Sequence, residues 1–90
     1  MKITPRSDKV ITGKPKVGNV YLAGGGRRNS THYWVVVGMT ESRSTLYMLG
    51  FTKLGMVSST ASYNAHAFED RRIVGKVDMG DMDAMEVEWF

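Results

Sequence analysis

Ninety residues with a formal net charge of +3 and no cysteine describe one domain, able to bury a core without covalent staples. The missing thiols exclude disulfides, thiolate metal sites and a cysteine nucleophile. The charge is sorted: residues 1–77 hold all twelve Lys and Arg against four acids, a net of +8, whereas 78–90 hold five acids and no base, a net of −5.

In chain order, residues 1–16 read as a basic extended arm with Pro5 and Pro15, where only Val10, Ile11 and Thr12 have strand character. VGNVYLA (17–23) predicts a first strand, closed by Gly24, Gly25 and Gly26. YWVVVGMT (33–40) is the strongest strand pattern, β-branched or aromatic and apolar on both faces. The polar turn Glu41–Ser44 leads into TLYMLGFT (45–52), and Lys53-Leu54-Gly55 forms a tight turn into the more polar edge strand MVSSTASY (56–63). NAHAFED (64–70) suits one helical turn, and RRIVGKVD (71–78) predicts a fifth strand. In the acidic, Met-rich and aromatic tail, 79–90, Met85, Val87 and Trp89 alternate with Glu86 and Glu88, as in a strand with one apolar face. That tail can close the fold as a sixth strand, cover the basic face or bind a partner.

This order predicts an all-β fold, a small SH3-like five-stranded barrel over 17–78 with a helical turn before its last strand. Its expected core is Val20, Leu22, Trp34, Val36, Leu49, Phe51, Val57, Phe68, Ile73 and Val77. The N-terminus has no apolar h-region, and no apolar run approaches the ~20 residues that span a bilayer. A soluble, cytoplasmic protein without membrane contact is therefore expected.

Two basic groups are the candidate binding surface. In AGGGRRNSTH (23–32) the glycines let backbone N–H groups turn toward an anion beside Arg27 and Arg28; the same glycines also suit a solvated crossing loop. Arg71, Arg72 and Lys76 enter the fifth strand, with Arg72 and Lys76 on one face by the period of two. Tyr33, Tyr47 and Tyr63 would supply stacking surfaces if exposed. In the tail, Met85, Trp89 and Phe90 are candidate anchors for a partner. His32 and His66 are the only histidines, and neither has a spacing that selects a metal site, a cofactor or a catalytic group.

With these strands placed, the chain resembles SH3-like barrel proteins, and its short basic body with a brief tail is similar to small bacteriophage accessory proteins, of which anti-CRISPR inhibitors are one class. The resemblance implies a non-enzymatic inhibitor or adaptor, in the host cytoplasm, that occupies a host protein or nucleoprotein. It carries no site residues across. The PemK-type ribonuclease toxins are similar at the level of the fold and imply metal-free RNA cleavage, for which His32 or His66 with Arg71 or Arg72 would be needed. Direct binding of DNA or RNA, held back by the acidic tail, is the other expectation from charge. A monomer and a homodimer are both compatible with the sequence.

Overall fold

The computed structural model of the chain describes residues 11–23, 31–78 and 87–90. Each β-rich run forms a strand: β1 (Asn19–Leu22), β2 (Tyr33–Met39), β3 (Thr45–Phe51), β4 (Val57–Asn64), β5 (Ile73–Val77) and β6 (Val87–Trp89). A 3₁₀ turn, Ala65–Phe68, links β4 to β5. Asn64 starts it by accepting the His66 backbone N–H at 2.9 Å, which satisfies a donor the turn would leave open. The strands join antiparallel in the order β4-β3-β2-β1-β5-β6.

The expected closed SH3-like barrel is not what forms. The sheet is open: β4 and β6 end it, and among the described residues β4 pairs only with β3 and β6 only with β5. Irregularities at Val20/Tyr21, Val36/Gly38 and Gly50/Phe51 disturb the ladders without joining the two edges. A closed barrel gathers its core side chains on one interior face. Here the strands are apolar on both faces, and each face builds its own cluster. The first contains Tyr21, Trp34, Val36, Leu46, Met48, Phe68 and Ile73; the second contains Val20, Tyr33, Val35, Phe51, Val74 and Val77.

Within the expected core, Leu22 and Val57 are exposed and Leu49 is only half-buried, while Tyr33, expected as a stacking surface, is buried. The bulge in β5 further splits the expected core between the two faces. Val20 faces Gly75 and Tyr21 faces Ile73, so Val74 is the extra residue. Ile73 and Val77 consequently serve opposite clusters despite their equal parity, which removes the basis for placing Arg72 and Lys76 on one face.

The final residues are structural. Val87 and Trp89 pack on the second cluster, with the Trp89 ring 5.3 Å from that of Tyr33. Phe90 packs on the first cluster and donates its N–H to the Val74 carbonyl at 3.0 Å. Residues 87–90 are therefore an edge strand and its end, not a free acidic tail; Met85 lies outside the described residues. Gly75 makes this docking possible. A Cβ there would sit 2.8 Å from both the Glu88 carbonyl oxygen and Val87 Cγ1, and 3.2 Å from the Trp89 ring.

Gly75→Ala is expected to lift β6 off β5 and cost about 1–3 kcal/mol. Urea unfolding measures the loss, and faster amide exchange at 87–90 than at β2 and β3 locates it. Alkaline pH tests the buried phenols. Burial holds Tyr33 neutral and raises its pKa above 10.0; burial does the same for Tyr21, opposed by the hydrogen bond from Asn19 and by the Arg71 charge. The unfolded chain releases these protons near 10.0, so their contribution is fully present below that pH and is lost as pH rises through the folded values. Tyr21→Phe is expected to flatten that alkaline loss in denaturant melts across pH.

Candidate functional site

The basic residues singled out in the sequence do not assemble into one surface among the described residues. Arg27 and Arg28 lie outside them. Arg71 is half-buried and engaged by the fold: its guanidinium stands 4.7 Å over the Phe68 ring and donates to the Leu22 carbonyl. Arg72 is exposed. Lys76 faces Glu88 across the β5–β6 ladder at 3.5 Å, so the last strand partly neutralises it. Trp89 and Phe90 are half-buried against the two clusters.

The two histidines considered for catalysis lie in separate surroundings. His66 meets Glu69 at 3.2 Å on the exposed 3₁₀ turn. His32 stands edge-on to Tyr33, 4.6 Å between rings, and its backbone N–H donates to the Phe51 carbonyl. The two histidines thus have separate partners. The hydroxyl of Thr31 reaches across β3 to Ser58 and Ser59, at 2.5 and 2.8 Å, and this group ties β4 to the entry of β2. No group of metal-ligating side chains large enough to hold an ion occurs among the described residues. An open groove of about 580 Å³ at the β5–β6 end is lined, among the described residues, by Lys76, Val77, Asp78, Val87 and Glu88, a mixture of signs.

The surface that departs most from an ordinary solvated one is the β3–β4 hairpin. Leu54, Met56 and Val57 are 85%, 66% and 60% exposed, and Tyr47 is 49% exposed on the strand beside them. Tyr47, Leu49 and Phe51 share one side of β3, and the register sets Val57 opposite Phe51 and Ser62 opposite Tyr47. Trp89 and Val87 pack on this second face with Tyr33, Val74 and Val77, whereas among the described residues Tyr47 and Val57 on the β3–β4 half remain exposed. The exposed apolar residues form an interrupted strip, with Leu54, Met56 and Val57 at the turn and Tyr47 farther along β3, and the hydroxyl side chains of Thr60 and Ser62 on the same face of β4. Large apolar side chains left exposed together at a turn are a candidate interaction surface.

The turn that presents the strip is built to hold still. Thr52 donates its N–H to the Met56 carbonyl at 2.7 Å, and Gly55 donates to the Thr52 carbonyl at 3.0 Å. The Thr52 hydroxyl oxygen also accepts from the N–H groups of Leu54 and Met56 at 3.3 and 3.1 Å. Gly55 takes φ +88°, which a side chain would oppose. Charge is just as regular: no Asp or Glu occurs from Ser42 to Phe68, while Arg43 and Lys53 flank the strip. Sequence reading identified the turn but did not single out its exposed apolar side chains. The available signal was Leu54 and Met56 at turn positions where polar residues are usual.

Compared with known proteins, the chain matches no protein-family model, no curated protein and no solved structure. The likeness to phage accessory proteins and anti-CRISPR inhibitors rested on a short basic barrel with a brief tail. The open sheet, with its last residues paired as β6, overturns it. No helix among the described residues is long and apolar enough to cross a membrane.

Arg71→Leu is expected to lower stability by about 1–2 kcal/mol, because it removes the cation over Phe68 and the donor to Leu22. Thermal or urea unfolding measures this. The loss should appear without any partner, unlike the effect of replacing a residue used only for binding.

Proposed function

We propose that this protein is a non-catalytic binding protein that docks a partner protein through the β3–β4 hairpin. The observation that carries the reading is the exposure of Leu54, Met56, Val57 and Tyr47 together beside a turn held by Thr52. A turn already in its bound shape loses little conformational entropy on association, and large apolar side chains supply the burial. The complementary partner surface is an apolar depression rimmed by acidic side chains, which would meet Arg43 and Lys53 at the edge of the contact. Rim charges of this kind steer the encounter, while the apolar centre sets the lifetime of the complex.

The test is Leu54→Asp with Met56→Asp in the full chain. Both side chains are exposed, so stability should stay within about 0.5 kcal/mol of the parent chain. Proteins retained from extract of the source cells by the parent chain, but not by the double variant, are identified and then titrated as purified proteins. Affinity for the true partner is expected to fall about tenfold or more. Retention of the same partner by the double variant would overturn the reading. Binding to labelled DNA or RNA that weakens steeply with salt and survives the double variant would assign the function to the basic residues instead.

A further inference from the structure

We propose that two copies of this chain join edge to edge through β4, antiparallel about a two-fold axis at Ala61, to form one continuous sheet. The inference concerns a different surface from the hairpin strip: the outer edge of β4, not the sheet face or the turn.

An edge strand presents a row of backbone donors and acceptors, and proteins ordinarily guard such rows with short strands, lysine, proline or inward charge. The two edges of this sheet are treated differently. β6 has 3 residues, and its central Glu88 is engaged with Lys76. β4 has 8 residues, VSSTASYN, with neither charge nor proline. No Lys, Arg, Asp or Glu occurs anywhere from Leu54 to Phe68. Among the described residues this edge pairs only with β3 on its inner side.

A second copy is the occupant that the charge pattern favours. Two chains of net charge +3 repel in most approaches. Along β4 they bring no like charges together. The register supplies the geometry: Ser59, Ala61 and Tyr63 lie opposite Gly50, Met48 and Leu46, whereas Thr60 and Ser62 lie opposite Leu49 and Tyr47. A two-fold axis perpendicular to the sheet keeps each face on its own side, so residues of equal parity must meet. Centred on Ala61, it sets Ala61 against Ala61, Thr60 against Ser62 and Ser59 against Tyr63. Small side chains meet at the axis and hydroxyls meet across the strands, a favourable cross-strand pairing. The second faces of both copies then continue into one another, with the Thr60 and Ser62 hydroxyls at the seam between the two Tyr47 and Leu49 pairs.

Sedimentation equilibrium of the full chain from micromolar to millimolar concentration tests the pairing. The parent chain is expected to dimerise, with β4 amides exchanging more slowly as concentration rises. Thr60→Lys with Ser62→Lys puts like charges opposite each other and is expected to weaken the dimer about tenfold or more. Thr60→Glu with Ser62→Glu should do the same alone, and mixing the lysine and glutamate chains should restore a dimer. The hairpin variant Leu54→Asp with Met56→Asp should remain dimeric, which separates this proposal from the docking reading. A parent chain that stays monomeric, β4 exchange independent of concentration, or a folded lysine variant that dimerises as tightly as the parent would overturn it.

Discussion

Val20 and Tyr21 are neighbours in β1, point to opposite faces of the sheet, and are both 0% exposed. The rest of the structure depends on sealing both sides of this 4-residue strand. β2 and β5 flank it in the sheet, so its backbone is covered laterally. Above and below, it needs apolar cover of two kinds. The 3₁₀ turn supplies one, through Phe68, whose ring stands 5.0 Å edge-on from that of Tyr21. Arg71 closes over Phe68 and reaches the Leu22 carbonyl, joining that turn to the end of β1. The other side is completed by Val74, Val77 and the strand that carries Trp89.

This demand for cover on both faces distributes the remaining surface unevenly. The first face is also packed by Ile11 and Phe90. On the second face the short β6 contributes Val87 and Trp89 to the cluster around Val20 and Tyr33, while Tyr47 and Val57 remain exposed farther out. The hairpin strip is thus the uncovered end of a core layer, continued outward by Leu54 and Met56. The contrast between edges follows from the same arrangement. β6 is held by packing and by its pairing with β5, whereas β4 is long and uncharged, and among the described residues its backbone pairs only with β3.

The candidate site was less legible than the strands, for a physical reason. Arginine, tryptophan and phenylalanine can either anchor a partner or complete a core, and local sequence does not distinguish these uses. Arg71 reads as a surface cation until Phe68 and Leu22 are placed beside it. Trp89 and Phe90 suit a sixth strand or a partner anchor equally until β6 is paired with β5. Leu54 and Met56 reverse the argument: apolar residues at a turn are an unusual pattern in the sequence, but only the fold shows that they are 85% and 66% exposed rather than tucked into a core. Their charge context, basic without acid from Ser42 to Phe68, was visible from the start.

By itself the sequence determined the strands, their turns and the 3₁₀ turn before β5, because β-branched and aromatic runs separated by Gly, Pro and polar turns specify local backbone conformation. It also determined that the strand over 33–39 would be apolar on both sides. Tertiary structure decided what those two apolar sides meant. A pattern of that kind is compatible with a barrel wall or with a sheet covered above and below, since periodicity records which residues avoid water and not what covers them. The bulge in β5, the pairing of β6 at Gly75 and the engagement of Arg71 depend on contacts between residues distant in the chain. Those contacts resolved the choice in favour of an open sheet with two cores.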